Sequence, residues 1–147
     1  MIGLSGVRAF DGTNNASSTD LSISNLVSGE NLTLSGSGTV PNATVEMNKA
    51  ISLGSLSISD GSGGKSSNYT LTGGSHTLDI SQLSVNVTGS RQYDGTKTVN
   101  SSDLNLTNLV SGETVSLTGA GTVADENVGA NKTVTAGSLA LTGPGAG

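Results

Sequence analysis

The sequence predicts an all-β protein made of two small tandem modules, and three observations support this prediction. The stretch from Asp20 to Val40 recurs from Asp103 to Val123, a shift of 83 residues, with 13 of its 21 positions identical. Apolar residues alternate with Ser, Thr and Asn, and no window shows the i, i+3, i+4 spacing of a helix. Hydrophobic residues make up 33% of the chain and aromatic residues 2%, so each core must be thin and aliphatic. A fixed internal period indicates tandem structural units.

The repeat sets the expected domain boundaries. We expect a first β repeat over residues 1–85 and a second over residues 86–147, the second one incomplete at its C-terminus. A unit of about 83 residues buries only roughly 60–65% of its unfolded surface, so each unit should be a small module with a thin core.

The first half of the repeat reads as three strands separated by turns. Gly3 to Phe10 forms the first strand, and Asp11-Gly12 ends it because this dipeptide favours turns. Leu21 to Ile23 and Leu32 to Leu34 alternate with polar residues and are expected to form a hairpin. Its turn lies at Ser28-Gly29, and at Ser111-Gly112 in the second copy.

The second half of the repeat reads as further short strands. Gly36-Ser37-Gly38 predicts a bulge or sharp bend, after which Thr39 to Val45 continues as a strand. The run from Ile51 to Ile58 keeps period 2 on both sides of a break at Gly54. Asn68 to Leu71 and His76 to Ile80 are expected to be the closing strands. Since the second copy holds no counterpart of these two segments, it should expose an unpaired strand edge.

Composition and charge exclude several classes of function. The net charge is −5, and the six basic residues form no stripe with interleaved aromatics, which argues against nucleic acid as a partner. No apolar run approaches the ~20 residues of a membrane helix, and no signal peptide is present. There is no cysteine, hence no disulfide or thiolate metal site. This composition fits a chain that is exported unfolded.

The sequence contains no recognisable set of catalytic residues, so we predict that the chain is not an enzyme. His76 is the only histidine, and Asp79 lies three residues further on. Residues i and i+3 of a strand face opposite sides, which excludes a His–Asp relay between them. No serine lies in a Gly-x-Ser-x-Gly elbow.

The order of short motifs resembles the YDG-type repeat of large bacterial secreted and surface adhesins, including filamentous-haemagglutinin-like proteins exported by two-partner secretion. The motifs are aromatic-Asp-Gly-Thr, Leu-x-x-Gly-Glu, Gly-x-Gly-Thr-Val, Val-Gly-x-Asn-Lys and Asn-Tyr-x-Leu. They are carried here by Phe10-Asp11-Gly12-Thr13, Tyr93-Asp94-Gly95-Thr96, Leu109 to Glu113, Gly119 to Val123, Val128 to Lys132, and Asn68 to Leu71. Unit one departs from the pattern where Val45-Glu46-Met47 replaces Val128-Gly129-Ala130.

The resemblance implies an all-β fold of tandem small β-sandwich or β-grasp-like modules. It also implies a location outside the cell, at the bacterial surface, with a spacer or adhesive role. It implies neighbouring repeats of the same chain or identical chains as partners, joined by strand addition between units. A module that binds host or matrix glycans is the alternative. The resemblance supplies no catalytic residues and no cofactor.

Recurring carboxylates leave two interpretations open. The residues are Asp11 and Asp94, Asp20 and Asp103, and Glu30 and Glu113. The functional interpretation is Ca²⁺, which takes 6–8 oxygen ligands from carboxylates and carbonyls. The structural interpretation, which we prefer, is turn and strand-end capping by Asx side chains.

Two lysines and three aromatic residues complete the candidates. Lys49 and Lys132 are either members of a Lys–Asn isopeptide crosslink or turn lysines whose stems cover apolar surface, and we prefer the second interpretation. Phe10, Tyr93 and Tyr69 are expected to pack in the core, because an aromatic ring supplies apolar area that a thin core lacks. A sugar-binding platform is the alternative role for these rings.

Overall fold

A computed structural model describes residues 1–144 of the 147-residue chain. The chain separates into two compact units, Met1–Leu83 (unit 1) and Ser84–Gly147 (unit 2). Within the described residues every regular element is a β-strand or a three-residue 3-10 turn. The prediction of tandem all-β modules is confirmed.

Unit 1 contains eight strands. They are β1 (Gly3–Ala9), β2 (Asn15–Ser17), β3 (Leu21–Ser24), β4 (Leu32–Ser35), β5 (Ser37–Thr39), β6 (Glu46–Ala50), β7 (Ser57–Asp60) and β8 (His76–Ser81). Four of them form a sheet in the order β3-β1-β8-β6, whereas β2 pairs with β5 and β4 pairs with β7. The last strand of the unit, β8, therefore lies at the centre of the main sheet, parallel to β1 and antiparallel to β6.

The core of unit 1 lies between the main sheet and the two strand pairs. Its largest fully buried side chains are Ile2, immediately before β1, Leu4 in β1, and Leu78 and Ile80 in β8. Aliphatic residues from the strand pairs and the loops complete one cluster of 11 buried residues, namely Ile2, Leu4, Ala16, Leu21, Leu32, Val40, Ile51, Leu56, Leu71, Leu78 and Ile80. β8 contributes two buried residues, Leu78 and Ile80, because every second side chain of a strand faces the same side, here the core.

Unit 2 repeats most of this plan with six strands. They are β9 (Asn86–Gly89), β10 (Thr98–Asn100), β11 (Leu104–Thr107), β12 (Ser116–Thr118), β13 (Ala120–Thr122) and β14 (Ala140–Thr142). The pairs β9–β11, β10–β13 and β12–β14 keep the registers of β1–β3, β2–β5 and β4–β7, shifted by the 83-residue period. The repeat in sequence is therefore a repeat in backbone path.

The predicted hairpin between Leu21–Ile23 and Leu32–Leu34 is wrong. Both segments are strands, but β3 pairs with β1 and β4 pairs with β7. The Ser28-Gly29 turn does form, with Gly29 at φ 87° and the Glu30 N–H donating to the Val27 carbonyl at 3.0 Å. Asn25 at φ 65° has already turned the chain away from β3, so the two strands enter different sheets.

Two further strand predictions are wrong, and the predicted bend at Gly36-Ser37-Gly38 is confirmed. Residues 40–45 form a loop rather than the end of a strand, because Pro41 lacks the N–H that a ladder needs. Residues 69–72 follow a 3-10 turn at Ser66–Asn68 and are not a strand. The bend at Gly36, whose φ is 85°, does separate β4 from β5.

Candidate functional site

The aromatic-Asp-Gly-Thr motif forms a closed polar turn directly after β1. The Asp11 carboxylate accepts hydrogen bonds from the backbone N–H and the hydroxyl of Thr13, both at 2.9 Å. The Arg8 guanidinium contacts the same carboxylate and donates to the Thr13 carbonyl at 2.5 Å. Gly12 has φ 76°, a conformation that glycine adopts without strain.

Unit 2 builds the same turn from the equivalent residues. Asp94 accepts two bonds from Thr96 at 2.9 Å, and Arg91 contacts both Asp94 and the Thr96 carbonyl. The hydrogen bond from Arg91 lowers the pKa of Asp94 to about 2. Burial opposes ionisation of Asp11, but hydrogen bonds from Thr13 and Arg8 outweigh it and lower the pKa of this carboxyl. The recurring aspartates are thus engaged in turns.

Two of the remaining recurring carboxylates, Asp103 and Glu30, also have side-chain hydrogen-bond partners. Asp103 closes a capping box with Asn100, and Asp20 ends the corresponding 3-10 turn of unit 1. Glu30 accepts a hydrogen bond from the Tyr69 hydroxyl, which raises the pKa of Tyr69. Within residues 1–144, no group of three or more His, Cys, Asp or Glu side chains is arranged to hold a metal ion. Calcium binding stays an untested alternative to the turn-capping interpretation that we prefer.

Lys49 lies buried, 4% exposed, in a polar socket formed by the loop before β6. Its ammonium group donates to Asn42 Oδ1 at 2.7 Å, to Thr44 Oγ1 at 2.9 Å and to Glu46 Oε2 at 2.9 Å. A buried Lys, an Asn and a carboxylate therefore meet, which are the residue types that an isopeptide bond requires. Glu46 is exposed, however, so it lacks the apolar surroundings that hold a carboxylic acid protonated at neutral pH.

Lys132 occupies the equivalent position in unit 2 with a different partner. Asp125 replaces Asn42, and its carboxylate accepts from the Lys132 ammonium group at 2.5 Å. This hydrogen bond lowers the pKa of Asp125. Both lysines anchor the loop that precedes them, as expected of turn lysines with covered stems.

The three aromatic residues do not share one environment. Phe10 and Tyr69 pack against the core of unit 1, as predicted. Tyr93 is 66% exposed, so the prediction of core packing is wrong for this residue. The Phe10 N–H donates to the Ser81 carbonyl at the end of β8, whereas no strand of the described part of unit 2 occupies the position of β8 beside Tyr93.

His76 and Asp79 have separate partners in unit 1. His76 is half-buried rather than exposed, and its Nε2 lies 2.8 Å from the Leu71 carbonyl oxygen. Asp79 accepts a hydrogen bond from the Asn48 N–H at 2.6 Å. Asn48 and its repeat partner Asn131 both have φ 56°, so the recurring asparagine takes the left-handed backbone conformation, which the motif alone did not reveal.

Unit 2 contains an open groove with a volume of about 540 Å³. Its floor is apolar and includes Val99, Leu104 and Val123, and its walls are residues 87–93 and 125–132. The exposed ring of Tyr93 and the carboxylates of Asp125 and Glu126 lie on these walls.

The fold and these contacts define a class of protein, a tandem array of small all-β repeats whose recurring polar residues close turns. The chain belongs to the YDG domain family, which matches residues 3–78 and 79–147. No curated protein and no solved structure matches the chain. No helix in the described residues is long and apolar enough to cross a membrane.

Proposed function

We propose that the chain is a load-bearing spacer segment of a large extracellular bacterial adhesin, with its YDG repeats acting in series. The observation that carries this proposal is the pairing of the first and last strands of unit 1. β1 and β8 are parallel neighbours over six residue pairs, from Leu4 opposite His76 to Ala9 opposite Ser81. The ladder is extended by the Leu4 N–H bond to Ser75 and the Phe10 N–H bond to Ser81.

This pairing determines how unit 1 responds to tension. A force that pulls the two ends of the unit apart acts along both strands in opposite directions, so it loads all the β1–β8 hydrogen bonds together. Antiparallel terminal strands would instead open one bond at a time. Because β8 also pairs with β6, its displacement breaks bonds on both of its sides. A spacer that holds a terminal binding domain away from the cell needs this kind of resistance.

Single-molecule stretching tests the mechanical claim without altering the core. The chain has no cysteine, so two exposed positions can be replaced by cysteine for attachment. Handles at Met1 and Gln82 load the β1–β8 pair in shear, whereas handles at Met1 and Ser75 open it from one end. We expect the first arrangement to unfold at a several-fold higher force, and equal forces in the two arrangements would contradict the proposal.

The proposed location rests on composition and on the YDG resemblance, and it has its own test. Antibodies raised against the chain should label intact cells of the source bacterium as strongly as permeabilised cells. Labelling that requires permeabilisation would contradict an extracellular role. The proposal assigns the chain no catalytic activity and no cofactor.

Glycan or matrix binding is the second candidate, and the exposed ring of Tyr93 favours it. Exposed aromatic rings next to carboxylates suit sugars, and Asp125 and Glu126 line the same groove. A glycan array screened with the full chain and with a Tyr93→Ala variant tests this candidate. A ligand that the native chain binds and the variant does not would favour the binding role over the spacer role.

A further inference from the structure

Three aspartates of the chain are followed directly by glycine, and their carboxylates share one set of hydrogen-bond donors. In each case a single residue further along the chain donates both its backbone N–H and its hydroxyl to the carboxylate, and a cationic side chain contacts the same carboxylate. We call these three donors the donor set. The sets are Thr13 with Arg8 at Asp11-Gly12, Ser66 with Lys65 at Asp60-Gly61, and Thr96 with Arg91 at Asp94-Gly95.

The donor set at Asp60 did not arise from the repeat. The position of Asp60 in the second copy is occupied by Gly143, so this site has no partner in unit 2. Asp60 Oδ1 accepts from the Ser66 N–H at 2.8 Å and from the Ser66 hydroxyl at 2.9 Å, and its Oδ2 accepts from Lys65 at 2.7 Å. Ser66 lies six residues after its aspartate, whereas Thr13 and Thr96 lie two residues after theirs. Two different loops therefore surround an Asp-Gly pair with the same donors.

Aspartates that do not precede glycine have fewer donors. Asp79 and Asp103 precede aliphatic residues, and each accepts one hydrogen bond from a backbone N–H. Asp125 accepts from Lys132 and from a backbone N–H, but from no hydroxyl. Within residues 1–144 the complete donor set is found only where glycine follows the aspartate. The following glycine, and not the aspartate alone, is thus the feature that the donor set accompanies.

Asp-Gly is the dipeptide at which aspartate isomerises most readily, because glycine has no side chain to shield its backbone nitrogen. This nitrogen attacks Cγ of the protonated aspartate carboxyl. A C–N bond forms, and the carboxyl O–H leaves with the amide proton as water, which gives a succinimide. Water then opens this ring at the α-carbonyl carbon. The main chain now continues through Cγ as isoaspartate, which is one methylene longer than the original backbone and would disrupt a tight turn.

The fold requires glycine at all three positions, so the reactive dipeptide cannot be avoided by a larger second residue. Gly12 and Gly95 have φ 76° and 74°, where other residues are strained. A Cβ atom on Gly61 would lie 2.3 Å from the Asn31 carbonyl oxygen. The chain therefore contains three reactive bonds that its backbone geometry demands.

We propose that the donor sets protect these Asp-Gly bonds from isomerisation, and that Asp11, Asp60 and Asp94 are the sites at which isoaspartate forms when a donor set is removed. The donors stabilise the ionised carboxylate, whereas only the protonated carboxyl loses water. Hydrogen bonds from Lys65 and Arg91 lower the pKa of Asp60 and Asp94 to about 2, which leaves little of the protonated form at neutral pH. The same bonds restrict the rotation of the carboxyl group towards the glycine nitrogen. This protection is independent of the spacer role.

Ageing of the full chain in neutral buffer measures the protection. Proteolytic digestion and mass spectrometry with electron-transfer fragmentation quantify isoaspartate at each of the three sites, since isomerisation leaves the total mass unchanged but alters the backbone fragments. We expect each site to isomerise several-fold more slowly in the folded chain than in the same chain unfolded in urea. Equal rates in the folded and the unfolded chain would overturn the proposal.

Variants of one donor set separate local protection from the stability of the unit. Arg8→Gln should raise the rate at Asp11 several-fold, and Arg8→Lys, which keeps a cation, should restore most of the protection. Asp94, in the intact turn of the same molecule, is the matched control, and Asp60 reports any general unfolding of unit 1. An unchanged rate at Asp11, or equal increases at Asp11 and Asp60, would overturn the proposal.

A second variant removes a donor without changing the charge. Thr13→Val keeps the backbone N–H and Arg8 but loses the hydroxyl, so it should raise the rate at Asp11 by a smaller factor than Arg8→Gln does. The rates at Asp60 and Asp94 should stay at their native values. A rate at Asp11 that neither variant changes would show that the compact fold, and not the donor set, slows isomerisation.

Discussion

A buried ammonium group is stable in this protein because three oxygen atoms replace its water. Lys49 donates to Asn42, Thr44 and Glu46, and the residue is buried. Hydrogen bonds to charged groups contribute about 1.5–3 kcal/mol each before the cost of desolvation is subtracted. The socket therefore holds the loop of residues 42–46 against the sheet.

Two replacements of Lys49 separate the contribution of its ammonium group to stability from that of its aliphatic side-chain carbons. Lys49→Met keeps apolar contact and should lower the free energy of unfolding by about 1–2 kcal/mol, since the exposed partners regain water. Lys49→Ala should lower it by at least ~1 kcal/mol more, because the stem is also lost. The free energies of unfolding of both variants can be measured by urea unfolding in a Tyr93→Phe background, with Tyr69 fluorescence as the signal. Lys132→Met, in the more open socket of unit 2, is the control, and Tyr93 fluorescence in a Tyr69→Phe background follows its unfolding. It should lower the free energy of unfolding by less.

Intact mass decides whether Lys49 is crosslinked. An isopeptide bond between Lys49 and Asn42 would release one ammonia, and because Glu46 is exposed we expect the unmodified mass. A mass lower by one ammonia, abolished by Lys49→Met, would contradict this expectation.

The Asp94 turn should make unit 2 sensitive to acid. Its folded pKa of about 2 lies below the ordinary value of 3.8, so the unfolded chain binds the proton more readily. The stabilisation is complete above pH of about 4 and is lost as the pH falls towards 2. Urea midpoints of the Tyr69→Phe chain should fall over this window. Asp94→Asn should lower the midpoint at pH 6 and flatten the pH dependence, whereas Glu126→Gln should do neither.

At the scale of the strands, one glycine controls how closely β1 and β3 approach. A Cβ atom on Gly6 would lie 1.9 Å from the Asp20 carbonyl oxygen, and one on Gly89 would lie 2.0 Å from that of Asp103. Backbone atoms cannot move aside as a flexible side chain can. The repeat keeps glycine at this position because the antiparallel pair would otherwise be pushed apart.

We expect Gly6→Ala to lower the free energy of unfolding of unit 1 by about 1–3 kcal/mol, the range of overpacked sites. Ser5→Ala, at the neighbouring exposed position of β1, is the matched control and should change it by less than about 0.5 kcal/mol. Tyr69 fluorescence in the Tyr93→Phe background reports both unfolding transitions. Similar stabilities for the two variants would show that β1 and β3 can separate without cost.

The strands themselves could be predicted from sequence, whereas their partners could not. The alternation of apolar and polar residues predicted strands β3 and β4, and the glycine at position 36 predicted the bend. Both signals come from residues that are close together in the sequence. Pairing of β1 with β8 joins residues more than 70 positions apart, and nothing near either strand encodes it. The same holds for the candidate site. The aromatic-Asp-Gly-Thr turn could be predicted from its motif, but the lining of the groove and the exposure of Tyr93 follow from three-dimensional packing.

For the whole molecule, the distribution of buried side chains predicts two unequal stabilities. Eleven of the twelve buried hydrophobic residues found in residues 1–144 lie in unit 1, and Val99 is the exception. Each buried aliphatic side chain contributes roughly 1.5–3 kcal/mol relative to exposure. Unit 2 keeps three of the strand pairings but covers less apolar surface with them. It should therefore be the less stable unit.

The two tyrosines allow this to be measured, because each unit contains one. In the Tyr93→Phe chain, Tyr69 reports unit 1, and in the Tyr69→Phe chain, Tyr93 reports unit 2. We expect the urea midpoint of unit 2 to be the lower of the two. A variant with a copy of residues 65–83 appended after Gly147 should have a higher midpoint for unit 2, closer to that of unit 1, since the added Leu and Ile side chains can cover Val99 and Leu104. Coincident midpoints in the unmodified chain would mean that the strand pairings, and not the buried core, set the stability of a YDG repeat.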